Sequence, residues 1–247
     1  MSRTPAGTVA YAIGDIHGRL DLLVRMHGMI EADAGRRASP RRVVVYLGDY
    51  VSRGQDSRGV VDRVMDWLPP GFERVTLKGN HEDLMLRTHG GEFEAVRHWL
   101  DYGGIEALAS YGVTMAESAA RDAATVADLS RRLAQALPAP HLAFLRGLGI
   151  SHREGDYYFV HGGIRPGIAL EAQSERDCIW IRKTFLDSEG DHGAVVVHGH
   201  SIRDKVEFRR NRIGLDTGAY RSGMLSCLVL EGDQANLLQT AQVEGGC

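Results

Sequence analysis

A chain of 247 residues, 43% hydrophobic and 25% charged, has the composition of a globular protein with a real core, which excludes a disordered or fibrous chain. The formal net charge of −3 supplies no basic surplus for broad nucleic-acid or membrane attraction. No segment approaches the roughly 18 consecutive apolar residues of a spanning helix, and the first residues, Met1 to Gly7, lack the apolar stretch of a secretory signal. The cysteines, Cys178, Cys227 and Cys247, are odd in number and lack ligand-like spacing. They are expected as reduced thiols in a soluble cytoplasmic protein with no membrane or nucleic-acid partner.

In chain order, Val9–Ile13 reads as a strand. Leu20, Leu22, Leu23, Met26, Met29 and Ile30 then mark one face of a helix. The basic run of residues 35–42 is expected as a solvated loop before a second strand at Val43–Leu47. A second helix carries Val60, Val61, Val64, Met65 and Leu68, with Asp56 or Ser57 as its cap. A third strand covers Val75–Leu77. From Glu82 to Leu148 the pattern is mostly helical. Phe93, Val96, Trp99 and Leu100 share a face, and an Ala-rich amphipathic stretch at 121–137 is broken by Pro138. Strands follow at Tyr157–Val160, Val195–Val197, Val206–Phe208, Ile213–Leu215 and Leu225–Leu230. Strands alternating with helices, then closely spaced strands, predict an α/β or α+β fold. Residues 1–247 are expected as one domain, with about 88–150 a helical insertion beside the site.

Five of these strands run into ligand-type residues. The first meets Gly14-Asp15-Ile16-His17-Gly18, the second Gly48-Asp49, the third Gly79-Asn80-His81-Glu82. Later strands meet His161-Gly162-Gly163 and His198-Gly199-His200. Parallel strands place their carboxyl ends along one edge, where ligand sites of α/β sheets form. One Gly-Asp tip reads as a turn; five in order do not. Burying Asp15 beside Asp49 without counter-charge is costly, and two divalent cations remove that conflict. The donor set suits manganese first, with iron or zinc also compatible, and Asp49 is the natural bridge between two ions.

The segments GDIHG, GDYVSRG and GNHE, with HGG, GHS and a late DTGA at Asp216–Ala219, resemble the phosphoprotein phosphatase branch of the calcineurin-like metallophosphoesterases, nearest the bacterial and phage-type serine/threonine phosphatases. The resemblance spans residues 9–231. It implies a four-layer αββα sandwich of two mixed sheets flanked by helices. It implies that Asp15, His17 and Asp49 hold one metal and that Asp49, Asn80, His161 and His200 hold the second. It also implies His81 as general acid, with Arg53 and Arg182 as phosphate clamps. His198 is a weaker candidate ligand. Tyr220 is a candidate for the pocket rim, with plain packing as the alternative. His89, His98, His141, His152 and His192 lie off the motifs and are expected as surface or core histidines.

The implied reaction is phosphomonoester hydrolysis by direct attack of a hydroxide held between two cations, with a phosphoprotein or small phosphate ester as substrate. One position departs from the pattern. Many protein phosphatases carry an Asp where Ser52 stands, orienting the catalytic histidine. Symmetrical diadenosine tetraphosphate hydrolases lack that Asp too, which keeps a nucleotide substrate as the alternative. Such a substrate would need aromatic or arginine stacking surface near 88–150. A scaffold protein with a decayed site is a third reading, and the full ligand set argues against it.

Overall fold

The structure, a computed structural model, describes residues 2–115 and 122–240. The predicted stretch at 121–137 is therefore described from residue 122, and Cys247 lies outside the described residues. The first half runs β1 (Thr8–Ile13), α1 (Leu20–Ala34), β2 (Arg41–Tyr46), α2 (Ser57–Asp66), β3 (Phe72–Thr76) and α3 (Asn80–His89). Four further helices follow: α4 (Phe93–Asp101), α5 (Gly104–Ser110), α6 (Ala123–Ala136) and α7 (Ala139–Arg146). The second half contains β4 (Ser151–Glu154), β5 (Tyr157–Val160), α8 (Glu175–Trp180), α9 (Lys183–Leu186), β6 (Val195–His198), β7 (Glu207–Phe208), β8 (Arg212–Gly214), α10 (Ala219–Ser222), β9 (Ser226–Glu231) and β10 (Gln234–Gln239).

Two five-stranded mixed sheets result, in the orders β10-β9-β1-β2-β3 and β4-β5-β6-β8-β7. Strands β1, β2 and β3 run parallel in the first, and β5, β6 and β8 in the second. The two-residue period of a strand explains the layering. Val9, Tyr11 and Ile13 of β1 join a core with the helices, whereas Ala10 and Ala12 face the other sheet. Tyr157 and Phe159 of β5 meet that inter-sheet core, and Tyr158 and Val160 pack outward with Ile179 and Phe185. The order is therefore helices, sheet, sheet, helices. Helices α3 to α7 contribute Leu84, Trp99, Leu108, Leu133 and Leu145 to the same core as α1 and α2.

Asp56, not Ser57, caps α2, its carboxylate accepting the Gly59 N–H at 2.8 Å. The basic run is more tied down than a solvated loop. Arg37 pairs with Asp33 and Glu231, and Arg41 pairs with Glu73 and Glu154 from inside β2.

Candidate metal centre

Each parallel strand ends at a side chain of the centre. Asp15 and His17 follow β1, Asp49 follows β2, and Asn80 and His81 open α3 just after β3. His161 follows β5 and His200 follows β6. All of these residues are buried. Non-glycine residues with positive φ fall at His17, Asp49, Ser52, Arg53 and His200, all in these turns. That conformation is strained, and its concentration at one place marks a built site.

The Asp49 carboxylate sits at the middle. Its Oδ2 lies 3.5 Å from His17 Nε2 and 3.9 Å from His81 Nε2, while Oδ1 lies 3.4 Å from His161 Nε2. Two groups capable of holding a metal ion share it: His17–Asp49–His81 and Asp49–His161–His200. Neighbouring backbone fixes the rings. His17 Nδ1 is bonded to the Val51 carbonyl at 3.0 Å, and His161 Nδ1 to the Leu47 carbonyl at 2.9 Å, which leaves each Nε2 facing inward. Asn80 Oδ1 lies 3.0 Å from His161 Nε2. Asp15 accepts the His200 backbone N–H at 2.9 Å.

Glu82 holds the turn that carries Asp49. Its buried carboxylate accepts N–H groups from Asp49, Tyr50, Val51 and Gly79 at 2.8–3.2 Å. Close approach also needs glycine at two places. A Cβ on Gly79 would collide with Asp49 Oδ1, and one on Gly199 with Asp15 Oδ1.

The electrostatics fit cations. Burial, then Asp216 and Asp49, pushes the Asp15 carboxyl well above its ordinary range. Burial likewise raises Asp49 and Asp216. Burial, then Arg53, lowers His17 to about 3, and burial lowers His161 to about 4. Neutral imidazoles are the metal-binding form, and a cation relieves crowded carboxylates. His81 Nδ1, His200 Nε2 and Asp216 Oδ2 are buried without a hydrogen-bond partner among the described residues. Open donor atoms of this kind, on two imidazoles and a carboxylate, fit the coordination of a cation.

A cavity of about 220 Å³ opens over this cluster, lined by His17, Asp49, His81, Arg53, Arg182 and Asp216 among others. The predicted set therefore converges: Asp15, His17, Asp49, Asn80, His161 and His200 with His81, Arg53 and Arg182. His81 falls within one of the two metal-capable groups, and Asp15 turns toward the His200 backbone. His198 stands apart, in edge contact with Phe185 at 5.1 Å and outside both groups. Arg182 donates to the His200 carbonyl at 2.9 Å, and the Arg53 guanidinium lies 4.7 Å from the Tyr220 ring centre. Tyr220 thus props the Arg53 guanidinium.

Ser52 is committed elsewhere. Its Oγ accepts the Trp99 indole N–H from α4 at 2.8 Å. Arg53 N–H donates to the Gly103 carbonyl at 3.0 Å, just before α5. No carboxylate replaces the missing Asp at His81 Nδ1 among the described residues. Asp216 was missed in the sequence as a site residue. It follows β8 as the other site residues follow their strands, so the same strand-tip rule would have found it.

Two mixed sheets with a histidine–carboxylate cluster at their parallel strand ends define a metallohydrolase. A family profile for calcineurin-like phosphoesterases matches residues 9–221, and the chain belongs to that family. It is a metal-binding hydrolase of phosphate esters. An asymmetrical bis(5'-nucleosyl)-tetraphosphatase from Anoxybacillus flavithermus is 26% identical over 87% of this chain and 88% of its own. A symmetrical bis(5'-nucleosyl)-tetraphosphatase from Methylococcus capsulatus is 30% identical over 67% of this chain, which spans 47% of that relative's length. Among solved structures, a protein provisionally described as a diadenosine tetraphosphatase superposes with TM-score 0.62 at 20% identity, covering 98% of this chain and 99% of that one. A cold-active protein-tyrosine phosphatase from a Shewanella species gives 0.60 at 18%, covering 97% and 83%. At those identities the structures speak for the fold alone. No helix among the described residues is long and apolar enough to cross a membrane.

Proposed function

We propose that the protein hydrolyses phosphate monoesters with two divalent cations, manganese foremost, and that phosphorylated serine or threonine side chains of proteins are its leading substrates. The observation that carries the two-cation reading is the Asp49 carboxylate, whose two oxygens face different histidine groups. Asp15, His17 and Asp49 would hold one cation; Asp49, Asn80, His161 and His200 would hold the other. Bound there, the pair would supply Lewis acidity toward phosphoryl oxygens and lower the pKa of a water nucleophile.

The chain's own groups do the rest. Arg53 and Arg182 bracket the cavity and would take the outer phosphoryl oxygens, orienting the ester for in-line displacement. His81 would carry the leaving-group proton at Nε2, the ring nitrogen 3.9 Å from Asp49 Oδ2. Burial first, then the charge of neighbouring His17, disfavours its protonated form, so an incoming anion would favour loading that proton. A cytoplasmic location fits the free, buried thiols of Cys178 and Cys227.

A second reading, hydrolysis of dinucleoside polyphosphates, has its own support. A groove of about 950 Å³ is lined by Trp180, His98, Arg97 and Arg176. Trp180 lies 6.3 Å from the His200 ring and 5.6 Å from His98, so the groove adjoins the centre and offers stacking surface. The names of the two curated relatives point the same way. Side-by-side turnover of a phosphothreonine peptide, diadenosine tetraphosphate and p-nitrophenyl phosphate by manganese-loaded enzyme tests both. Higher kcat/KM for the peptide supports the first. Higher kcat/KM for the dinucleotide supports the second. Activity toward all three that survives exhaustive chelation would remove the basis of either.

A further inference from the structure

Six strands run parallel in the two sheets, and the sixth tip, after β8, carries Asp216. One oxygen of this carboxylate is fixed, Oδ1 accepting the Gly218 N–H at 2.9 Å. The other, Oδ2, has no hydrogen-bond partner among the described residues, although the residue is only 3% exposed. Asp216 lines the same cavity as His17, Asp49 and His81. Neither clamp arginine is bonded to it: Arg182 donates to His200, and Arg53 lies over Tyr220.

Asp15, from the first sheet, is near enough to feel Asp216: burial first, then the Asp216 charge, raises the Asp15 carboxyl. Two buried carboxylates this close are tolerated only with a proton or a cation between them. A bare acceptor oxygen would also repel the anion that the cavity is shaped to receive. His200 Nε2, equally buried and unpartnered, belongs to the neighbouring metal-capable group with Asp49 and His161.

We infer that Asp216 is a further carboxylate of the metal centre, set beside Asp15, where it tightens the cation site on the Asp15–His17 side and biases it toward an oxygen-preferring ion. The inference rests on the reading of Asp15, His17 and Asp49 as ligands. A third carboxylate beside one imidazole shifts a site away from zinc and toward manganese or magnesium.

The test is Asp216→Asn, which preserves shape and leaves an oxygen for the Gly218 N–H. Mn²⁺ is titrated calorimetrically into chelator-stripped full-length protein, and thermal midpoints are read with and without Mn²⁺. The wild type is expected to show two sites. In the variant, one site weakens at least tenfold and the other keeps its affinity. Without metal, the variant's midpoint rises, because one repulsion is gone; its gain on adding Mn²⁺ shrinks. A packing role alone would lower both midpoints together. Asp216→Ser, which can still accept the Gly218 N–H, must reproduce the split should the Asn variant fold poorly. Two unaltered Mn²⁺ affinities, or equal loss of both, would overturn the inference while leaving the ligand reading intact. A wild type that takes up no Mn²⁺ would overturn that reading and the inference with it.

Discussion

The hydrogen bond from Trp99 to Ser52 ties the helical segment to the turn that carries Arg53, and removing it makes a sharp prediction. Both residues are 0% exposed, and Nε1 to Oγ is 2.8 Å. Ser52→Ala keeps a Cβ, so the left-handed backbone at Ser52 (φ 77) is not further strained. The change leaves a buried indole N–H unpaired, at a cost of about 1–3 kcal/mol. For a chain of this size each kcal/mol lowers Tm by about 2–4 °C. Trp99→Phe removes the donor but also leaves a void, so its loss is larger and mixed in origin. The double variant removes both partners. Its loss should therefore fall short of the sum by about 1 kcal/mol or more, measured by denaturant unfolding of all four proteins. Arg53 is hydrogen-bonded to Gly103 in the same contact, so KM for p-nitrophenyl phosphate should rise in each single variant with metal content unaltered. Losses that add within about 0.3–0.5 kcal/mol, together with an unmoved KM, would refute the coupling.

Four further outcomes are expected. His81→Asn should lower kcat by about 10²–10⁴-fold while elemental analysis finds near-normal metal; parallel loss of both would make His81 a ligand instead. Gly199→Ala drives a methyl into the Asp15 carboxylate, so Mn²⁺ affinity should fall even if circular dichroism shows a folded protein; unchanged affinity counts against the close approach. Exhaustive chelation should abolish hydrolysis and lower Tm, and Mn²⁺ at 100 times its Kd should restore about 2.7 kcal/mol. Finally, burial lowers His27 to about 3, where it stacks on Trp67 at 3.7 Å and bonds Tyr46 at 2.8 Å. The unfolded chain binds this proton below about 6.5 and the folded chain only near 3, so stability is full above 6.5 and drains as pH falls through that window. His27→Gln should flatten the pH dependence of ΔG there; an identical slope in the variant would exclude His27 as its source.

Much of the architecture was legible because buried parallel strands are written as short apolar runs closed by glycine or a ligand-type residue. Val9–Ile13, before Gly14, and Tyr157–Val160, before His161, are of that kind, and the ligand-type residues after them converge in space. The edges were not legible. Strand β4 reads Ser-His-Arg-Glu, and β10 reads Gln-Ala-Asn-Leu-Leu-Gln with most of its residues exposed, so neither has the alternation of a half-buried strand. The two short helices α8 and α9 carry too few turns for a periodic signal. Ser52 shows a different limit. A substitution inside a motif signals that something has changed, but its new partner, Trp99, lies 47 residues away and is set by packing. Asp216 is within reach of the strand-tip rule, since it directly follows the apolar run Ile213–Leu215.

The histidine–carboxylate cluster straddles the seam of the sandwich: Asp49 belongs to one sheet, His161 and His200 to the other. A cation seated among them would act as a rivet through both plates. Sliding of one sheet past the other, which apolar packing alone resists only weakly in direction, would then have to tear a coordination bond. Loading the centre should accordingly slow amide exchange far from it, in the inward-facing residues of β1 and β5, and the rate at which the ion escapes becomes a clock for the breathing of the whole sandwich.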